Sequence, residues 1–121
     1  MKEYTYNIID NVYDWMISKK KDVEVRILKE KSLAIQPGDY VTFNNLEDSR
    51  KYVKVKITNK YIYDNVKELL KCLDVERIMP GHSDRELVML LEKIYDKDLE
   101  TKKIVAFEFE YLTSDIDEKI V

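Results

Sequence analysis

All the glycine and all the proline of this 121-residue chain sit in two dipeptides, Pro37-Gly38 and Pro80-Gly81. Pro-Gly is the signature of a type II turn, because proline presets φ at the first central position and glycine supplies the positive φ needed at the second. The chain is thus punctuated at two defined places. It shows no fixed-period repeat, low-complexity tract or Ser/Gly/Pro-rich linker. One domain is expected over residues 1–112, followed by an exposed tail over 113–121. A chain of this length buries roughly two-thirds of its unfolded surface, enough for one core.

Hydrophobic periodicity assigns the elements. Tyr4 and Tyr6 alternate within a short first strand, Glu3 to Ile8. Ile8, Val12, Trp15 and Met16 then follow helical spacing up to about Ser18. From Asp22 to Leu28, apolar Val23, Val25 and Ile27 alternate with charged Asp22, Glu24 and Arg26, which predicts a strand with one ionic face. Tyr40–Phe43 reads as the next strand, and Lys51 to Tyr63 as a long one with Val53, Val55 and Ile57 inward. Asn65 with Glu68, and Ser83 with Glu86, open two helices whose apolar stripes are Val66, Leu69, Leu70, Leu73 and Leu87, Leu90, Leu91, Ile94. Val105, Phe107, Phe109 and Tyr111 share one side of a final strand. Strands dominate and do not alternate regularly with helices. The expected class is therefore α+β, with a curved or closed, mostly antiparallel sheet and about three flanking helices.

Composition narrows the function classes. The single cysteine, Cys72, excludes an intramolecular disulfide, and no apolar run is long enough to cross a bilayer, so the chain is expected to be cytoplasmic. Walker, dinucleotide, nucleophile-elbow and zinc-finger signatures are absent from the sequence, and no metal or cofactor is expected. The formal net charge of -3 argues against strong nonspecific nucleic-acid binding. The charge is uneven, however. Residues 1–60 carry 12 Lys and Arg against 9 Asp and Glu, and residues 61–121 carry 9 against 15.

Glu24 and Arg26 lie two apart on one strand, so their side chains share a face roughly 6.5–7 Å apart along the chain. Lys21 stands at the entry to that strand. A Lys, a Glu and an Arg beside a sheet suit a phosphate or a polar base edge, because arginine offers a planar fork of donors and glutamate accepts from amino groups. The same spacing also describes a solvated face with ion pairs worth roughly 0–1 kcal/mol each. Lys19-Lys20-Lys21 could meet phosphates or form a plain surface loop. His82 reads as a surface histidine ahead of a helix, Cys72 as a buried inert thiol, and Glu86 as a capping residue. Tyr61 and Tyr63 have the parity of Val53 and Val55 and fall on the core side unless a bulge intervenes.

The order of these pieces resembles the activating-signal-cointegrator homology (ASCH) family. There a helix runs into Gly-x-Lys-x-x-Glu-x-Arg, then a turn ending in Gly-Asp, then a strand of the Ile-x-Phe type. The matching stretches are Lys19 to Arg26, Pro37-Gly38-Asp39 and Tyr40 to Asn44. Val53-Lys54-Val55, the passage from Tyr61 to Leu70, Met79-Pro80-Gly81 and Val105 to Phe109 extend the likeness over most of residues 4 to 112. The resemblance implies a small PUA-like β-barrel with a cleft beside it, lined by Lys21, Glu24 and Arg26. The family's glycine before the lysines is Lys19 here, so a loop that needs positive φ would strain it. Its threonine after the motif lysine is Asp22, whose carboxylate is expected to lower the positive potential of the mouth.

The resemblance implies an RNA- or nucleotide-binding module in which Lys20, Lys21 and Arg26 meet phosphates while Glu24 reads a base or holds Arg26. One alternative is a small hydrolase. An ASCH branch cleaves the amide of N-acetylcytidine with a Lys, a Thr and a Glu. Its Lys maps to Lys21, its Thr position to Glu24, and Glu76 is the neighbouring candidate for its Glu. The other alternative is a regulatory module that contacts a protein partner through the acidic 61–121 half.

Overall fold

The computed structural model describes residues 1–112, so the tail expected over 113–121 lies outside the described residues. Its strands are β1 (Glu3–Ile8), β2 (Val23–Ile27), β3 (Tyr40–Asn45), β4 (Tyr52–Tyr63) and β5 (Ile104–Tyr111). Its helices are α1 (Asp10–Ile17), α2 (Glu30–Ala34), α3 (Val66–Cys72), α4 (Asp84–Tyr95) and α5 (Asp98–Thr101), with a 3₁₀ turn at Val75–Arg77. The strands form one sheet in the order β1-β3-β4-β5-β2. The β1–β3 pair is parallel and the other three pairs are antiparallel. The α+β class is as expected. The sheet is mixed, however, and it curls into a half-barrel rather than a closed barrel. There are five helices among the described residues rather than three, because α2 and α5 span only 5 and 4 residues and carry too few positions for a helical period to register.

Side chains, not a strand pair, bridge the gap between the end strands β1 and β2. Arg26 Nη2 on β2 donates to the Asn7 carbonyl on β1 at 3.3 Å, and Lys31 Nζ on α2 donates to the Thr5 carbonyl at 2.7 Å. Bonding of this kind satisfies edge carbonyls that would otherwise invite another strand.

Two apolar cores share β5. Inside the curl, Phe43, Val55, Ile57, Phe107 and Phe109 pack with Met16 of α1. On the other face, Val23, Val25 and Ile27 of β2 and Ile104 and Ala106 of β5 meet Leu69 of α3 and Leu87 and Leu91 of α4. The alternation of β2 therefore points its valines and Ile27 at the helices and leaves Glu24 and Arg26 facing the seam.

Both Pro-Gly turns form as read. Asp39 N–H donates to the Gln36 carbonyl and His82 N–H to the Met79 carbonyl, with φ of 95° at Gly38 and 80° at Gly81. Ser83 and Glu86 exchange both bonds of the capping box, and Asn65 caps α3 through the Glu68 N–H. Cys72, expected to be buried, is exposed. It flanks the stripe of α3, and Val66 and Leu69 fill the core instead.

Helix α1 ends in a Schellman motif. Lys20 N–H donates to the Trp15 carbonyl, Lys19 N–H donates to the Met16 carbonyl, and Lys19 takes φ of 60°. A side chain in this left-handed region costs roughly 1–2 kcal/mol, partly offset by the greater chain entropy glycine loses on folding. Lys19→Gly is therefore expected to stabilise the fold by about 0.5–1 kcal/mol in urea unfolding, and a loss of stability would contradict the strained turn.

Candidate functional site

The Schellman turn delivers Lys21 into the protein, with a relative exposure of only 3%. Its Nζ donates to the Val23 carbonyl at 2.6 Å and to the Ile78 carbonyl at 2.8 Å, and lies 3.1 Å from Glu24 Oε1. An ammonium has three donors, so these three acceptors saturate it. The Tyr111 hydroxyl donates to the Lys21 carbonyl and fixes the backbone there.

Glu24 is 7% exposed. While Oε1 faces Lys21, Oε2 lies 2.8 Å from Arg26 Nε and 2.7 Å from Arg26 Nη2. Burial raises the Glu24 pKa, but Lys21 and Arg26 outweigh it and hold the carboxyl below the usual glutamate range. Burial pushes the Lys21 ammonium below the usual lysine range, and Glu24 opposes that shift. The guanidinium of Arg26 stacks 4.1 Å over the Tyr6 ring. Burial drives the Tyr6 phenol up to about 12, so Tyr6 stays neutral beneath the cation.

With all three groups ionised the cluster carries one surplus positive charge. It forms the polar part of a hollow of about 320 Å³ between β2, α1 and α4. Trp15 and Val12 of α1 and Leu87, Leu90 and Tyr95 of α4 supply apolar walls. The rim is apolar as well, since Ile9, Leu46 and Ile94 are 50%, 62% and 59% exposed. Among the described residues, Arg26 Nη1 has no partner, and Glu24 Oε1 keeps a lone-pair site beyond its contact with Lys21. The hollow therefore offers a donor beside an acceptor at the foot of greasy walls. Sites of this kind hold small organic ligands, typically within about 300–1,000 Å³.

Three of the four residues expected at a cleft converge here: Lys21, Glu24 and Arg26. Lys20 does not. It lines a separate open hollow with Trp15, Glu76, Arg77, Pro80 and Gly81. Lys21 shares the cluster but has no donor left for a phosphate. Asp22, expected at the mouth, turns away and forms a bidentate pair with Arg77 at 2.9 and 3.1 Å. Arg77 Nη2 also reaches Glu108 at 2.6 Å. Glu76 accepts from the Gly81 N–H at 2.6 Å in the neighbouring hollow, away from Lys21.

His82 pairs with Glu86 at 2.8 Å and meets Trp15 edge-on at 5.7 Å between centroids. A register shift between Ile57 and Asn59 supplies the bulge that frees Tyr61 from the core, and its hydroxyl donates to Glu108. No group of three or more His, Cys, Asp or Glu among the described residues could hold a metal ion. No helix among them is long and apolar enough to cross a membrane.

The sequence reading missed the walls. The whole apolar stripe of α4 borders the hollow, with Leu87 and Leu91 buried, Leu90 half-buried and Ile94 exposed at the rim. An apolar stripe wider than one packing face needs is the signal that could have found them.

Comparison with solved structures fixes the relationship. The crystal structure of hypothetical protein PH0355 matches with a TM-score of 0.78 and 30% sequence identity, covering 93% of this chain and 100% of that one. The chain belongs to the family of PH0355. The solution structure of PF0455 from Pyrococcus furiosus matches with a TM-score of 0.72 at 26% identity, over 93% of this chain and 98% of that chain. EF3133 from Enterococcus faecalis V583, a DUF984 protein, shares the fold with a TM-score of 0.62 at 10% identity, over 93% and 80% of the two chains. No family profile matches the chain, and no curated protein does.

Proposed function

We propose that this member of the PH0355 family is an ASCH-type, PUA-like cytoplasmic module that binds a nucleobase, carried by a nucleotide or by an unstacked residue of RNA, in the hollow beside β2. One observation carries the reading. Glu24 and Arg26 stand side by side beneath apolar and aromatic walls, with an acceptor site unspent on Glu24 Oε1 and the N–H donors of Arg26 Nη1 unspent beside it. A base presents an acceptor beside a donor on its edge and an apolar face on either side. Glutamate accepts from exocyclic amino groups, and arginine donates to ring nitrogens and carbonyl oxygens. Trp15 and Tyr95 supply aromatic surface suited to such a face.

This reading revises the one drawn from the sequence. Base contacts carry recognition, and phosphate contacts from Lys20 and Lys21 do not. The hydrolase alternative draws little support. Lys21 donates to two carbonyl oxygens and a carboxylate, an arrangement that suits an ammonium rather than a general base. Glu76 lines a different hollow.

An NMR titration of ¹⁵N-labelled protein with nucleosides, nucleotides and short single-stranded RNA tests the proposal. Saturable shifts are expected in β2 around Glu24–Arg26, at the Trp15 indole and near Tyr95. If the whole panel leaves those signals unmoved, or shifts only signals elsewhere, base binding in this hollow is wrong.

A further inference from the structure

Helix α4 has a second lined face. Beside the face that lines the hollow, it forms with α3 and α5 an open groove of about 680 Å³. Val66, Leu70, Val88 and Leu99 supply the apolar floor. Val66 and Leu70 are four residues apart on α3, and Asp84, Val88 and Glu92 repeat every four along α4. Two such i, i+4 rows leave between them the kind of groove that takes the side-chain ridge of a third helix. Asp84 and Glu92 are separated by about 12 Å of helix axis, or roughly two turns of an incoming helix.

The charge of the groove is one-sided. Asp84, Glu92, Asp96 and Glu100 supply four carboxylates, against the single cation of Lys67. None of the four carboxylates takes part in an ion pair or side-chain hydrogen bond among the described residues. Asp22, Glu68, Glu86 and Glu108 are engaged elsewhere on the surface, and Asp14, Glu30 and Glu110, unpaired among the described residues, stand apart from one another on α1, α2 and β5, whereas the groove gathers four. A strip of unpaired carboxylates beside the half-buried Leu70, Val88 and Leu99 selects a partner that brings cations and grease together.

We infer that the α3–α4–α5 groove docks a short amphipathic helix of another protein, its apolar edge on Val88 and Leu70 and its lysines or arginines on the four carboxylates. This is the helix-in-groove mode of recognition, with complementary charge setting partner choice and encounter rate. It is independent of base binding, because the groove and the hollow share no lining residue.

The test uses fluorescence anisotropy with a labelled Leu/Lys peptide patterned as an amphipathic helix and a scrambled peptide of the same composition. The patterned peptide is expected to bind at least about tenfold more tightly than the scrambled one. Neutralising Glu92→Gln, Asp96→Asn and Glu100→Gln together should weaken it by at least about tenfold, and Val88→Asn alone by about fivefold. Amide shifts should fall on residues 65–70 and 84–100. Equal binding of the two peptides would reduce the effect to bulk charge and overturn the inference. So would unchanged affinity in either variant, shifts confined to the hollow, or self-association of the protein through this face.

Discussion

Glu24→Ala is expected to destabilise the fold by about 3–5 kcal/mol in chemical unfolding at neutral pH. The reason is not the loss of an attractive pair as such. Lys21 is buried among the Val23 and Ile78 carbonyls, and among the described residues Glu24 is the one carboxylate in ion-pair contact with it. Removing the carboxylate leaves two cations facing each other in a sheltered site, and an uncompensated buried charge is what makes breaking such pairs costly. Removing both members, as Lys21→Met with Glu24→Gln, should recover a substantial part of the loss. If Glu24→Ala costs under about 1 kcal/mol, the cluster behaves as a solvated face.

The same carboxylate makes a pH prediction. The folded Glu24 pKa is depressed, so the unfolded chain takes up this proton first as pH falls. Its contribution is fully present above the ordinary glutamate range and is lost as pH drops through the lower, folded value. Asp39, Asp48, Glu86 and Glu108 are also depressed, so the measurement is a difference between variants. Stability of Glu24→Gln should fall less steeply than that of the parent below the ordinary glutamate range. Parallel curves would contradict the assignment.

Arg26→Met is expected to weaken ligand binding by about 10- to 150-fold, which corresponds to the roughly 1.5–3 kcal/mol of a hydrogen bond to a charged group. Methionine keeps an unbranched apolar stem over the Tyr6 ring while the donor fork disappears. Lys21 still compensates Glu24, so the variant remains folded, which circular dichroism checks. Arg26→Lys keeps the charge and loses the planar geometry, and it should bind with intermediate affinity. Unchanged affinity in Arg26→Met would remove the guanidinium from the site.

Much of this architecture is legible in the sequence because period and punctuation are strong. The Val23-Val25-Ile27 alternation, both Pro-Gly turns and the Ser83/Glu86 box are local signals, and each matches the structure. Lys19 at positive φ is no local signal of this kind; the expectation of strain there comes from the ASCH resemblance, which has glycine at this position. Tertiary placement is another matter. Whether Glu24 and Arg26 face water or a seam depends on how far the sheet closes, and strand alternation is identical in either case. Lys20 and Lys21 are neighbours of the same type, yet the Schellman turn sends one into the interior and leaves the other in solvent. The parallel β1–β3 pair is equally silent, because a six-residue strand carries its facing residues but not its direction. Cys72 fails for a related reason, as a helix flank one step from Leu69 cannot be told from its core face without the neighbouring helix.

Trp15 is the chain's single tryptophan and borders both this hollow and the one beside Lys20, so its fluorescence reports binding and the Arg26→Met variant assigns it to the hollow beside β2. The decisive measurement is an inner-filter-corrected titration of that emission with nucleosides and their monophosphates, for the parent protein and Arg26→Met. A saturable change that differs between bases in the parent and largely disappears in Arg26→Met is the predicted result. No response to any base-bearing compound, or the same response in both proteins, would contradict a base-reading pocket.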